Sequence, residues 1–431
     1  MLSMMTTVKK CQAVPDMEHG IVVGVDVSKR KIDFGAFRPE KGTKVYSVKQ
    51  DATGFSIFRK LLDDLKEQGY QPWIAFEPTG PYSTCFKECL YNSGERIVQV
   101  NPYHVKRTKE VRDNSPNKTD NKDPRVIADL VWNGCYQELL NLSGVYAELR
   151  AASVEWASLS KKRTALRNEF GCLLEVWFPE LASVFKDIAC KSARGIVRKY
   201  PDAMSIASSR LSSVRSTLKK ASSGRTVKKA EEIIAAAKTS IAPDLGQKAR
   251  HCAMLNLLDM LQGIERRQEQ LRNEMNEYLA DLPEAKCLLS MPGVGTISVA
   301  GLFGECGNIG KFGSYGQLEK FVGLNLYEVS SGRHIGRKHI SKRGRALARY
   351  LICHMAFGQI RSGGLYDDYA KELKAKGKKT GEIRVAVARK LLRKLYAMAR
   401  ECSMFNTARF FTEAQTEDGL SIQQGTQAKA A

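Results

Sequence analysis

Apolar positions change rhythm twice along the chain. From Ile21 to about Val100 they come in short, β-rich runs: Ile21–Lys29, Lys31–Phe37 (KIDFGAF), Lys44–Val48, Pro72–Glu77 (PWIAFE) and Arg96–Val100 (RIVQV). Their length, alternation and β-branched content predict strands. Between them Phe55, Phe58, Leu61, Leu62 and Leu65 form a helical stripe over Phe55–Gln68, and Tyr82–Ser93 also reads as a helix. The order β-β-β-α-β-α-β-α predicts an α/β domain with a mixed central sheet over residues 18–145.

Beyond that point the period lengthens. Val145, Leu149, Ala152, Trp156, Leu159, Leu166, Phe170, Leu173 and Trp177 follow steps of four and three, interrupted at Arg163. Leu257, Leu261, Ile264, Leu271, Met275, Tyr278 and Leu282 repeat the spacing, with Gln268 as the polar exception. The two heptad segments predict long coiled-coil helices across residues 146–283, either as an antiparallel hairpin or as a seam between copies of an oligomer. The basic insertion between them, residues 178–250, is rich in Ala, Ser, Lys and Arg. It predicts helices broken near Ser222–Gly224 and Pro243, whose surface either follows nucleic-acid backbone or is simply solvated. Residues 284–410 read as a mainly helical C-terminal domain closed by Arg345–Ile360 and Val385–Met398, and the polar tail at 411–431 is expected to be disordered.

Charge narrows the class. Over 431 residues, Lys+Arg 68 against Asp+Glu 46 gives +22, a field that favours polyanions and nucleic acid first. The start of the chain lacks the apolar stretch of a signal peptide, and no run approaches the length of a membrane span. Eleven cysteines without a CxxC pair predict buried free thiols in a reducing cytoplasm; the closest two are Cys85 and Cys89.

Candidate chemistry sits in three places. Asp26 and Glu77 end predicted strands, where open α/β sheets bind ligands, while Asp120 and Asp123 lie three apart before a helical run (KTDNKDPRVIADL). Four acids converging on one cleft would repel unless a divalent cation such as Mg²⁺ or Mn²⁺ neutralised them. Asp123 before Pro124 reads equally as a helix cap. Pro292-Gly293-Val294-Gly295, between two apolar helical runs, reads as a helix–hairpin–helix whose amides hold a DNA phosphate, or as a tight interhelical turn. Ser330-Ser331-Gly332 stands in a loop crowded by Arg333, Arg337, Lys338, Lys342 and Arg343, with no acid between Glu328 and Asp367. A hydroxyl amid cations has the ingredients for attack on phosphate; the same residues also make a polar turn that binds backbone.

GVDVSK, FEPTG and KTDNKD, in that order, resemble the signatures of the DEDD transposase family of insertion sequences, which includes the Piv-type DNA invertases. SSG…G(R/K)…ISKRG resembles the serine motif of the same family, with Asn325-Leu326 where members often carry proline. The resemblance implies a ribonuclease-H-like, Holliday-junction-resolvase-like first domain. It implies a metal tetrad on Asp26, Glu77, Asp120 and Asp123, and a nucleophile on Ser331. It also implies an enzyme that cuts and rejoins double-stranded donor and target DNA as a homo-oligomer in the cytoplasm, bound to the nucleoid when on DNA. A structured guide RNA is a candidate partner, because some family members use one. Two other readings stay open: a resolvase-like, structure-selective nuclease that leaves Ser331 idle, and a non-catalytic nucleic-acid-binding protein.

Overall fold

The computed structural model describes residues 13–39, 41–78, 80–91, 95–113, 123–139, 142–328, 336 and 338–407. They fall into two compact units, Met1–Asn141 and Leu142–Ala431.

The first unit is built on a six-stranded sheet: β1 (Gly20–Val27), β2 (Lys31–Phe37), β3 (Tyr46–Lys49), β4 (Gln71–Phe76), β5 (Arg96–Gln99) and β6 (Gln137–Glu138), in the order β3-β2-β1-β4-β5-β6. β4 runs parallel to β1 and β5, whereas β2, β3 and β6 join antiparallel. Four helices accompany it: α1 (Ala52–Glu67), α2 (Tyr82–Tyr91), α3 (Pro102–Asp113) and α4 (Asp123–Trp132). One face of the sheet (Val23, Val25, Phe34, Phe76) packs against Phe58 and Leu62 of α1 and Phe86 of α2. The other (Val22, Trp73, Ala75, Val98) meets Val126, Ile127 and Val131 of α4. Burial on both faces explains why β1 is almost continuously apolar.

Gly24 sets how closely α4 rides on β1. A Cβ there would stand 1.9 Å from the Pro124 carbonyl oxygen, so only glycine admits the helix's first turn at this height. Sequence periodicity did not predict α3, whose sequence PYHVKRTKEVRD carries no apolar stripe, nor β6, a two-residue edge strand.

In the second unit the heptad segments become α5 (Val145–Trp177) and, after α6 (Leu181–Val184), α7 (Lys191–Lys199), α8 (Ala203–Ala207), α9 (Leu211–Ser222) and α10 (Ala230–Lys238), the long α11 (Gln247–Ala280). α5 and α11 pair antiparallel. Glu155 meets Arg267 in two hydrogen bonds of 2.8 and 2.9 Å, and Trp177 near the other end stacks on His251 with ring centroids 6.2 Å apart. Of the two expectations for the stripe, the hairpin is the arrangement present within the chain: Leu149, Ala152, Phe170, Trp177, Leu257, Leu261, Leu271 and Met275 are buried, and the remaining stripe residues are half-buried. The two polar interruptions answer each other: Arg163 donates to Gln268 Oε1 at 3.1 Å, and Gln268, only 4% exposed, donates to Ser160 Oγ at 2.9 Å. A satisfied polar layer of this kind fixes register, because sliding either helix would leave it unpaired.

That layer separates two cores. At one end α6–α10 wrap Phe170, Trp177, Leu257 and Leu261. α9 ends at Ser222 and α10 at Lys238, beside the two breaks read from the sequence. Part of the insertion's basic character is spent internally: Arg194 makes two 2.9 Å hydrogen bonds to Glu265, and Arg198 lies 2.8 Å from Asp259. At the other end Leu149, Leu271 and Met275 join α12 (Pro283–Leu289), α13 (Thr296–Cys306), α14 (Tyr315–Val322), α15 (Ala346–Gln359), α16 (Asp367–Ala375) and α17 (Thr380–Glu401).

The expectation of buried thiols needs correction. Among the described residues ten cysteines are free, yet only Cys287 and Cys306 are buried; Cys85, Cys89 and four others are exposed, outside the cores. The tail predicted to be disordered lies outside the described residues. No helix among those described is long and apolar enough to cross a membrane.

Candidate active site

The register of the sheet decides where the acids go. β1 and β4 are parallel neighbours with Val25 opposite Phe76, so Asp26 and Glu77, the next residue on each, reach the same strand-end edge. Val25 and Phe76 point into the α1–α2 core, and alternation turns Asp26 and Glu77 to the opposite face, the one α4 covers. Both acids are half-buried. Asp123 opens α4, and the next residue, Pro124, lies directly over Gly24, two positions before Asp26. Asp123 is itself buried and ion-paired with Lys109 of α3.

Sheet register thus carries Asp26 and Glu77 to one edge, and Asp123 opens the helix whose next residue is seated on β1. Asp120 lies outside the described residues. Among the described residues no three His, Cys, Asp or Glu side chains are grouped closely enough to hold a metal ion, and Lys109 takes the place of a cation at Asp123.

Sequence reading missed one acid here. Asp33 stands directly across the β1–β2 ladder from Asp26 and is 1% exposed. Lys31 Nζ lies 2.9 Å from one of its oxygens as an ion pair, and among the described residues neither oxygen has a further hydrogen-bond partner. The available signal was the two-residue turn at Lys29-Arg30, which sets Asp26 against Asp33 once KIDFGAF is folded back on GVDV.

In the second unit, the glycine turn joins α12 to α13. Gly293 has φ +76°, a left-handed conformation that suits glycine, and the buried Gln359 of α15 donates to the Pro292 carbonyl beside it. Gly295 caps α13, its carbonyl accepting from the amides of Ser298 and Val299 at 3.0 and 3.1 Å, and nothing stands within 4 Å of where its side chain would be. The two-helix arrangement expected from PGVG is present.

The serine segment falls in sequence between two short strands, β7 (Leu326–Tyr327) and β8 (His339–Ile340), which pair antiparallel as a ribbon. Ser330, Ser331, Arg333 and Arg337 lie outside the described residues. The base of the ribbon is firmly anchored. Gly323, at φ +79°, ends α14; the amides of Lys342 and Arg345 donate to the carbonyls of Gly323 and Phe321 at 3.2 and 3.0 Å; and Arg349 of α15 donates to Val322 at 3.0 Å. Below, Tyr315 donates to Glu319 at 2.8 Å and Arg389 of α17 lies 2.6 Å from the same carboxylate. Burial and the Glu319 carboxylate hold the Tyr315 phenol well above its ordinary range, so it stays a donor. Lys338, Lys342 and Arg343 are exposed on the ribbon's flank, with Glu328 3.9 Å from Lys338.

Both regions match families of known proteins. Residues 23–179 match the family model for DEDD transposases of the IS110 type, and residues 285–371 that for transposases of the IS116/IS110/IS902 family. A 44.8 kDa protein of insertion element IS116 in Streptomyces clavuligerus is 25% identical over 377 residues, covering 84% of this chain and 94% of that protein. The transposase for insertion sequence element IS1111A in Coxiella burnetii is 24% identical over 264 residues, 61% of this chain and 59% of its own. With the acid edge falling inside one matched region and the ribbon inside the other, the chain belongs to the IS110/IS116 family of insertion-sequence transposases, enzymes that act on DNA.

Proposed function

We propose that this transposase cuts and rejoins double-stranded DNA by pairing the acid edge of the first unit with a nucleophilic Ser331 from the second. The observation that carries the reading is the register placing Asp26 and Glu77 on adjacent parallel strand ends under the start of α4. The strand order, with β2 antiparallel to β1 and β4 parallel to it, supports a ribonuclease-H-like first unit.

Asp26, Glu77, Asp120 and Asp123 would hold Mg²⁺ or Mn²⁺. A donor set made only of carboxylates suits a hard cation, and half-buried acids on neighbouring strands repel without one. When bound, such an ion supplies Lewis-acid polarisation of the scissile phosphate. Lys109 must leave Asp123 for that carboxylate to serve as a ligand.

Ser331 Oγ attacks phosphorus and loses its proton; the bond from phosphorus to one deoxyribose oxygen breaks, and that oxygen leaves as a hydroxyl. The phosphoserine link conserves the phosphodiester energy, so attack by a second strand's hydroxyl rejoins DNA without a nucleotide cofactor. Arg333 and Arg337 stabilise the charge that develops on the phosphoryl oxygens. Lys338, Lys342 and Arg343 hold flanking backbone, and the amides beside Gly293 and Gly295 hold a further phosphate. Donor and target duplexes are the substrates, a homo-oligomer is the working form, and a guide RNA is the candidate reader of sequence because base pairing would supply what phosphate contacts do not.

A strand-exchange assay on Asp26→Ala and Ser331→Ala tests this. Both variants should lose exchange. Residual cutting in Ser331→Ala but not in Asp26→Ala would mean a metal-dependent nuclease. Exchange surviving both substitutions would remove the catalytic reading altogether.

A further inference from the structure

We infer that Asp33 and Lys31 form a charge-balancing pair that positions and tunes the acid edge, Asp33 drawing a divalent cation toward Asp26 and Lys31 standing in for that cation when it is absent. The inference rests on the metal-binding role proposed above for Asp26 and Glu77.

Asp33 faces Asp26 across the β1–β2 ladder, and directly opposed residues place their Cβ atoms about 4.5–5.5 Å apart on one face of the sheet. That face is closed by α4, which leaves Asp33 1% exposed. Like charges directly opposite are unfavourable, and a dry carboxylate without a hydrogen bond is more so. Asp33 carries both costs, relieved by its ion pair with Lys31 and, among the described residues, by no further hydrogen-bond partner. A strand interior has cheaper occupants: Phe34 on one side and Gly35 on the other serve the same strand without charge.

Its counter-charge among the described residues is Lys31 Nζ, 2.9 Å away, whose stem comes from the same face two residues earlier and whose side chain remains 42% exposed. An ammonium carried at the rim on a flexible four-carbon stem is a counter-ion that can exchange partners. Asp33 thus holds negative potential next to the Asp26 carboxylate in a region of low dielectric, and Lys31 competes with whatever cation that potential attracts.

The two residues therefore act on cation affinity in opposite directions, which a purely structural pair would not do. The test is titration of the full chain with Mn²⁺, followed by calorimetry and by the rise in melting temperature that bound metal produces. Asp33→Asn, which keeps shape and removes charge, should weaken Mn²⁺ binding at least about tenfold and shrink the thermal rise. Lys31→Met should tighten binding by roughly three- to tenfold while lowering the melting temperature of the metal-free protein. Asp26→Asn is the reference. If it abolishes binding while Asp33→Asn and Lys31→Met leave affinity unchanged, the inference is overturned and the metal reading stands. If Asp26→Asn leaves Mn²⁺ affinity unchanged, the metal reading fails, and this inference with it. Should Asp33→Asn not fold, the sign of the Lys31→Met change decides: weaker or equal binding contradicts the pair.

Discussion

The acid edge and the serine ribbon are held in place by different means. Asp26 and Glu77 inherit their positions from a sheet buried on both faces, where β1 and β4 are locked in register by six residue pairs and α4 is seated against Gly24. The ribbon has only two residues in each strand, and its security comes from below: Gly323, the carbonyls of Phe321 and Val322, and the Tyr315–Glu319–Arg389 network. One site is placed by a core and the other by an anchored base. On the function proposed above, damage to the first should act through metal and fold, and damage to the second through the proposed nucleophile and DNA contacts.

The sharpest way to break that contrast is chemical. Asp26→Ala and Ser331→Ala should each reduce exchange by at least about a thousandfold, yet only Asp26→Ala should also reduce Mn²⁺ affinity. Equal loss of metal binding in both variants would erase the distinction. Next comes the seat of α4. Gly24→Val drives a side chain into the Pro124 carbonyl and should cost about 2–4 kcal/mol in urea unfolding, with exchange lost alongside; a value within a few tenths of wild type would show that α4 yields freely.

A smaller effect is expected at the polar layer of the hairpin. Arg163→Ala leaves the buried Gln268 Oε1 without its donor and should destabilise the second unit by about 1–3 kcal/mol, whereas Arg163→Ala/Gln268→Leu should recover part of that loss. Additive losses in the cycle would argue against a coupled layer. The smallest effects belong to the ribbon's flank. Lys342→Ala or Arg343→Ala should lower the salt dependence of DNA affinity by about one counter-ion each with little change in melting, as fluorescence anisotropy across salt concentrations would read. An unchanged slope would take these cations off the DNA.

What could be read from the chain follows the same division. The five predicted strands of the first unit and the first long helix fall within a few residues of their expected places, whereas the second long helix starts at Gln247, ten residues before the first heptad position read from the sequence. The α3 segment escaped because its polar sequence has no stripe to detect, and it matters because Lys109 on it pairs with Asp123. Asp33 escaped for another reason: alternation in KIDFGAF marks it as facing away from Ile32 and Phe34, but only the pairing of β2 with β1 reveals that it faces Asp26 and is dry. The hairpin and the intermolecular seam were indistinguishable in sequence, since both bury the same heptad positions; the match of Arg163 with Gln268 became meaningful only once the helices were seen antiparallel. Asp120 and Ser331, read from motifs, lie outside the described residues and rest on that reading.

The central claim is that acids of the first unit and a serine of the second act on one phosphate. Trapping the reaction on a nicked or suicide DNA substrate with Mg²⁺ and mapping the protein-linked nucleotide by mass spectrometry tests it most directly. The account predicts a phosphodiester on Ser331 that forms in wild type, disappears in Ser331→Ala and fails to form in Asp26→Ala. A covalent link on another residue, or one that forms at the wild-type rate without Asp26, would contradict it.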